Sequence, residues 1–140
     1  MRKTLVLGLT LALGALAVPA EARNTLKNYP IESILAQPEY GEKLGDFKFV
    51  FGGKAEGKEI GSVSKLQATN GVSKSDARAC AWAALGALIK MKEDALARGG
   101  TSVQAIISTT SGADFSSATE FQCVSGFTNS RVRFSGQVVR

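Results

Sequence analysis

Histidine is absent from this sequence, and cysteine occurs only twice in its 140 residues. Without histidine, the chain lacks the commonest general base of enzymes and a frequent nitrogen ligand of zinc. A serine nucleophile would then need a lysine base, and no motif here supports such a pair. There is also no C-x-x-C motif. We therefore predict no catalytic residue, no metal site and no cofactor, and the sequence favours a non-enzymatic protein.

The chain contains only one long apolar run, at positions 5–18 near its start. Two basic residues precede this run, and the tripeptide A-E-A at 20–22, after it, matches the cleavage site of a secretory signal. The run is short for a membrane-spanning helix. We predict cleavage after Ala22, leaving residues 23–140 in the periplasm or secreted, with no transmembrane span. Since the signal carries two basic residues and one acidic residue, its loss lowers the net charge from +5 to +4.

Runs of basic residues are missing as well, which argues against a nucleic-acid-binding arm. The modest positive charge suits anionic envelope polymers or lipid head groups, although solubility alone also explains it. The sequence therefore predicts no nucleic-acid partner, and an anionic cell-envelope component or an envelope protein is the partner class that remains.

The two cysteines are Cys80 and Cys123. An even pair in an exported chain favours a disulfide. In the loop-entropy description, a bridge that closes a loop of this length contributes at most about 4 kcal/mol to stability. A reactive thiol or a soft-metal pair is the alternative.

Residues 73–98 carry the periodicity of one long helix. Ser73 is the predicted N-cap, with Asp76 favourable near the positive end of the helix dipole, and Gly99-Gly100 ends the helix. Trp82 lies at the flank of the apolar face, where it either packs on the N-terminal segment or binds a ligand. The apolar face, which we expect to pack closely on a sheet, comprises Ala77, Cys80, Ala81, Ala84, Leu85, Leu88, Met91 and Ala95.

The segment at 23–45 carries weak helical signals, and we predict an N-terminal arm there that packs on a domain formed by residues 46–140. A short helix is expected near 31–35, because Pro30 suits its first turn and Pro38 would stop it. Another helical turn is expected at 40–44. The sequence does not indicate the role of this arm.

The remaining apolar segments alternate with polar residues, as strands do. Their order with the helix is β-β-α-β-β-β, and the short connections favour antiparallel pairing, with the first two strands forming a hairpin. We therefore predict an α+β fold in which the long helix packs on one face of an antiparallel sheet. A bulge is expected near Gly61. The predicted strands are 46–51, 60–67, 102–108, 118–124 and 131–139.

Alternation also assigns each strand residue to a face. The face toward the helix is predicted to carry Phe47, Phe49, Phe51, Val103, Ala105, Ile107, Thr119, Phe121, Cys123, Val132, Phe134 and Val138. The opposite face, predicted to be solvated, carries Lys48, Gln104, Gln122, Arg131 and Arg133. Because arginine binds phosphate or carboxylate through two parallel hydrogen bonds, Lys48, Arg131 and Arg133 are the predicted contact for an anionic ligand. A solvated surface without a ligand is the alternative.

The segment 52–59, G-G-K-A-E-G-K-E, nearly matches the phosphate-binding motif G-x-x-x-x-G-K-[ST]. Its last position is Glu59, where the motif needs a hydroxyl for magnesium. The following residues are typical of a strand, whereas the motif needs a helix N-terminus to hold the phosphates. We therefore predict a hairpin loop that binds no nucleotide.

Several segments together resemble a family of small exported proteobacterial proteins that is often labelled an excinuclease ATPase subunit. They are the strand from Phe47 to Gly52, the helix start at Ala79-Cys80, Gly99-Gly100 followed by the strand at 103–108, and Glu120 to Cys123. The resemblance covers nearly all of the mature chain and implies no catalytic residue. The helix-Gly-Gly-strand segment is also similar to the core of small proteins classed as heavy-metal-binding and of an envelope-stress sensor lipoprotein.

The sequence thus predicts a periplasmic, non-enzymatic binding or interaction module with one disulfide. An ATP-handling, excinuclease-like protein is the alternative that the family label implies. An oligomeric metal-binding protein is the alternative that the more distant fold resemblance implies.

Overall fold

A computed structural model describes residues 24–140, so the predicted signal segment at 1–22 and its cleavage site lie outside the described residues. Within them, six strands and three helices follow one another along the chain. They are β1 (Thr25–Pro30), α1 (Glu32–Leu35), α2 (Pro38–Leu44), β2 (Lys48–Phe51), β3 (Glu59–Asn70), α3 (Asp76–Ala97), β4 (Ser102–Ser108), β5 (Glu120–Ser125) and β6 (Asn129–Val139).

Strand β6 is the centre of the single sheet that these six strands form. On one edge it pairs antiparallel with the whole of β3, from Glu59 opposite Val139 to Asn70 opposite Asn129. Its other edge is shared, because β4 pairs with the C-terminal half of β6 and β5 with its N-terminal end. Strand β2 extends the sheet beyond β4, and β1 extends it beyond β5. The sheet therefore forks where β4 and β5 separate along β6.

The predicted α+β fold is confirmed, but two predictions about the sheet are wrong. Strand β2 pairs with β4 and runs parallel to it, so the sheet is mixed and not purely antiparallel. Strands β2 and β3 form no hairpin, since they lie on opposite sides of β6. The loop at 52–58 crosses between them over the C-terminal end of β6, where the backbone N–H of Arg140 donates to the Lys58 carbonyl oxygen (2.9 Å). The predicted bulge at the start of β3 is confirmed, with the register shifting between Glu59 and Gly61.

Helix α3 connects β3 to β4, two parallel strands with β6 between them, and it packs on one face of the sheet. Its N-cap is Ser75, whose hydroxyl accepts from the backbone N–H of Arg78 (3.2 Å). The prediction of Ser73 as the N-cap is wrong, because Ser73 lies in the turn before the helix and adopts a positive φ of 64°. The predicted end is confirmed, since Gly99 has φ 78° and the Gly100 N–H donates to the Ala95 carbonyl oxygen (2.8 Å).

The alanine-rich face of α3 lies against the sheet as predicted, and Ala84, Leu88 and Met91 are fully buried there. Ala77 is the exception. It is exposed, because the first turn of the helix borders an open groove instead of the covering strands.

The predicted assignment of β4 residues to the two faces of the sheet is wrong after Val103. The register shifts between Gln104 and Ile107, and Ala105 adopts a positive φ of 50°. This bulge inserts a residue and reverses the alternation. Val103 and Ile106 are consequently buried toward the helix, whereas Ala105 and Ile107 border a shallow pocket on the other face.

Strand β1 is an element that the sequence did not predict. It pairs antiparallel with β5, from Thr25 opposite Ser125 to Pro30 opposite Glu120. The two short helices that follow agree with the helical turns expected at 31–35 and 40–44. Thr119, predicted to face the core, is exposed because β5 begins only at Glu120.

The predicted disulfide between Cys80 and Cys123 is confirmed, and it joins the start of α3 to β5 with 5.9 Å between the Cα atoms. Both cysteines are fully buried. The aromatic centre of the core is Phe134 on β6, whose ring lies 5.4 Å from that of Phe51 and 5.9 Å from that of Phe121. Within residues 24–140, none of the helices has both the length and the apolar content that crossing a bilayer requires.

Candidate functional site

Arg131 and Arg133 lie side by side on β6. Their neighbours Val132 and Phe134 are fully buried toward α3, so both arginine side chains project from the face away from the helix. Two residues along a strand correspond to about 6.6 Å. Arg133 is exposed and Arg131 is half-buried. Neither forms an ion pair with any residue in the described range 24–140, where the salt bridges involve other cations.

Uncharged residues surround this pair on the neighbouring strands. Arg131 lies between Val124 on β5 and Ala68 on β3, and Arg133 lies opposite Leu66 on β3. No carboxylate occurs among the β3 residues that alternate onto this face, which are Ser62, Ser64, Leu66, Ala68 and Asn70. We call Arg131, Arg133 and their β3 neighbours Leu66 and Ala68 the arginine face.

The backbone of Arg133 is held at the fork of the sheet by two threonines from the loop after β4. The Arg133 N–H donates to Oγ1 of Thr110 (3.0 Å), and the Arg133 carbonyl oxygen accepts from the backbone N–H of Thr109 (2.9 Å). The Thr110 hydroxyl in turn donates to the carbonyl oxygen of Gln122 on β5 (3.1 Å). One threonine hydroxyl therefore connects β5 to β6 beyond their two paired residues and fixes the base of the arginine face.

Lys48 is not brought to the two arginines. It pairs with Ser102, which pairs with Val139 at the far end of β6. From position 139 to position 133 the strand rises about 20 Å, and two strand spacings separate β2 from β6 laterally. Lys48 is exposed, but it shares no contact surface with the arginine pair.

Gln104 is buried, although the sequence predicted it on a solvated face. Its Oε1 accepts from the backbone N–H of Glu56 (2.9 Å), and its Nε2 donates to Oγ of Ser102 (3.0 Å). The loop at 52–58 thus covers this part of the sheet. Gln122 is also partly covered, and within residues 24–140 its buried Oε1 has no hydrogen-bond partner.

The segment that resembles a phosphate-binding motif forms this same covering loop. Gly52, Gly53 and Gly57 all have positive φ, and the chain continues directly into strand β3. The prediction that a strand and not a helix follows the segment is confirmed. In the described residues, no three cysteine, aspartate or glutamate side chains come together as they would around a metal ion.

Trp82 stands between two grooves on the helix side of the molecule and is 42% exposed. The larger groove has a volume of about 470 Å³ and runs between α3 and the residues around Gln37 and Pro38. There Nε2 of Gln37 donates to the carbonyl oxygen of Ala81 (2.8 Å), which fixes the N-terminal segment to α3. Trp82 is therefore accessible to a ligand while it borders the N-terminal segment, so both sequence-based interpretations stand.

One charged cluster was not predicted. Asp94 on α3 binds Nζ of Lys65 on β3 (2.9 Å) and Nε of Arg98 (2.6 Å). The hydrogen bond from Lys65 lowers the pKa of Asp94. Partial desolvation acts in the opposite direction, and the interaction with Arg98 lowers the pKa further. Elsewhere, burial raises the pKa of Tyr40. The four-residue spacing of Asp94 and Arg98 was the available sequence signal for their pair, but only the fold brings in Lys65.

Comparison of the chain with models of known protein families, with curated proteins and with solved structures found no match. The family resemblance noted from the sequence therefore stays a prediction, and no functional residue is carried over from a relative.

Proposed function

We propose that this protein is an exported, non-catalytic binding module that contacts an anionic component of the cell envelope through Arg131 and Arg133. The observation that carries the proposal is the pair of adjacent guanidinium groups on one strand, with no carboxylate paired to either among residues 24–140. Each guanidinium presents a planar fork of donors that matches phosphate, sulfate or carboxylate oxygens.

Two features favour a binding role for this pair. Strand β6 is hydrogen-bonded on both edges, so the backbone beneath the arginines is ordered before a ligand arrives. The neighbouring side chains Leu66 and Ala68 carry no charge that would compete for the guanidinium groups. Lys48 lies too far along the sheet to touch the same small anion, so only an extended polymer would reach all three basic residues.

The disulfide supports the exported location, since such bonds persist in oxidising compartments. The same location is implied by the predicted signal at 1–22. We expect the intact mass of protein recovered from the periplasmic fraction to correspond to residues 23–140. A full-length cytoplasmic product would contradict the proposal.

The binding experiment uses dextran sulfate as a soluble polyanion and isolated envelope fragments as the native target. The double variant Arg131→Ser/Arg133→Ser should bind both targets at least about tenfold more weakly, since it removes both guanidinium groups. Binding by the wild-type protein should also weaken as salt is raised.

The matched control is Lys54→Ser/Lys58→Ser, which removes the same charge from two exposed residues of the covering loop. It should bind nearly as well as the wild-type protein. Equal losses in the two double variants would show that net charge alone governs binding, and unchanged binding in the arginine variant would refute the proposed site.

A further inference from the structure

Exposed apolar side chains gather at one end of the molecule. Phe127, in the turn between β5 and β6, is 69% exposed, and Val72, in the connection from β3 to α3, is 56% exposed. The backbone N–H of Gly71 donates to the carbonyl oxygen of Thr128 (2.9 Å), which joins these two loops. Leu26 on β1, opposite Val124, is also exposed near this end. We call Leu26, Val72 and Phe127 the apolar tip.

Basic residues surround the apolar tip. Lys27, Lys74 and Arg78 are exposed, and Arg131 lies at the edge of the arginine face nearest the tip. The three segments that build this end, residues 24–30, 70–78 and 124–131, contain one carboxylate, Asp76, in addition to these four cations. An exposed apolar cluster with a cationic rim matches the surface of an anionic bilayer, which offers a hydrocarbon boundary beneath phosphate groups.

The N-terminal segment joins the described chain at the same end. Strand β1 begins with Thr25 opposite Ser125, next to the turn that carries Phe127. The apolar run at 5–18 ends only six Cα–Cα steps before Asn24, and these steps span at most about 22 Å when fully extended. As long as that run is attached, before the predicted cleavage after Ala22, insertion of the run into a bilayer would keep Asn24, and with it the apolar tip, near the bilayer surface.

We infer that the apolar tip binds the surface of an anionic lipid bilayer. Phe127 and Val72 enter the boundary between head groups and acyl chains, where apolar side chains such as phenylalanine are buried, and the surrounding basic residues bind lipid phosphates. A second copy of this chain fits the tip less well, because pairing two tips would bring eight cations against two carboxylates. This inference rests on the proposed function only through Arg131, which borders both surfaces.

The test measures cosedimentation of the purified protein with vesicles of phosphatidylglycerol and phosphatidylcholine, and with vesicles of phosphatidylcholine alone. The wild-type protein should bind the anionic vesicles and release at high salt. Val72→Ser/Phe127→Ser should bind at least about tenfold more weakly, because it removes the inserted apolar surface while keeping every charge.

The control variant is Leu35→Ser/Leu96→Ser, which removes two leucines of similar exposure, 51% and 54%, away from the tip. It should bind the anionic vesicles as the wild-type protein does. A second readout places tryptophan at the tip in Phe127→Trp/Trp82→Phe, whose fluorescence should shift to the blue with anionic vesicles.

The outcomes separate this inference from the proposed function. If the wild-type protein binds dextran sulfate but not anionic vesicles, or if the tip variant binds vesicles normally, the lipid inference is wrong, and the arginine site is judged by the dextran sulfate binding of Arg131→Ser/Arg133→Ser alone. If vesicle binding depends on Phe127 and Val72 while Arg131→Ser/Arg133→Ser still binds dextran sulfate normally, the inference stands and the proposed arginine site is wrong.

Discussion

The two sides of the fork in the sheet are held in different ways. On one side, which we call the body, α3 packs mainly on β3 and β6 and less on β4, β2 extends the sheet beyond β4, and β3 pairs with β6 along its whole length. Helix α3 also touches the other side, through β5 and β1. On the other side, which we call the wing, β1 and β5 pair with each other. The wing reaches β6 through only two residue pairs, Val124 with Arg131 and Ser125 with Ser130.

The wing is joined to the body chiefly by side chains. The Cys80–Cys123 disulfide connects β5 to α3, and Phe121 packs edge-on against Phe134. Tyr29 then packs on Phe121 from β1. A short backbone ladder is thus supplemented by the disulfide, the aromatic contact and the bridging hydroxyl of Thr110. The two sides should respond differently to the loss of the disulfide and of the aromatic contact.

The largest expected effect comes from removing the ring that both sides share. Phe134→Ala should lower the free energy of unfolding by about 3–5 kcal/mol, because the fully buried ring touches Phe51 in the body and Phe121 in the wing. Denaturant unfolding measures the loss. The control, Phe127→Ala, removes a largely exposed ring and should change stability little. A small effect of Phe134→Ala would contradict its place at the junction.

Removing the disulfide should affect the wing more than the body. Cys80→Ala/Cys123→Ala should cost about 2–4 kcal/mol in denaturant unfolding, by the loop-entropy description of disulfides. Hydrogen exchange in the double variant should accelerate most at the amides of β1 and β5, while the amides shared by β3 and β6 keep their protection. An equal loss of protection throughout the sheet would show that the two sides open as one unit.

The smallest expected effect concerns the edge of the body, where Asp94 connects α3 to Lys65 on β3. Asp94→Asn should cost no more than about 1 kcal/mol, because the pair is partly solvated. Since the folded-state pKa of Asp94 lies below the ordinary value of 3.8, its contribution is complete above that pH. It is lost as the pH falls through the lower folded-state pKa.

The measurement for this pair is the stability difference between the wild-type protein and Asp94→Asn at several pH values. The difference should be constant near neutral pH and shrink in strong acid. Glu93→Gln, at the exposed neighbour on the same helix, is the control and should show little difference. A difference that grows in acid would reverse the sign expected from the lowered pKa.

Helix α3 and the disulfide were predictable because local signals carry them. The apolar period, Gly99 with its positive φ and the even pair of cysteines each specify one structure with little dependence on the rest of the fold. The alternation of Arg131, Val132 and Arg133 likewise predicted which face the arginines occupy. These signals act within a few residues or, for the cysteines, admit one pairing.

Features that depend on strand partners were not predictable. Strand β1, T-L-K-N-Y-P, is mostly exposed and has little apolar alternation. Its own sequence therefore does not indicate a strand, and it is one because its backbone pairs with β5. The polar loop at 52–58 resembles a hairpin loop although it crosses the sheet. Ala105 gives no sign of the bulge that reverses β4. The separation of Lys48 from the arginines follows from these same registers, so the sequence predicted their face but not their distance.

The position of β6 has a consequence for the order in which the chain folds. β6 is the last of the six strands along the chain, yet β3, β4 and β5 all pair with it. A nascent chain that has emerged only as far as Ser125 can form its helices and the β1–β5 and β2–β4 pairs, but these fragments lack the strand that unites them. Assembly therefore waits for the final segment, and the pairs between β3 and β6, which are far apart in sequence, form slowly. For the exported protein proposed above, this delay would leave the polypeptide unfolded while it passes through a secretion channel.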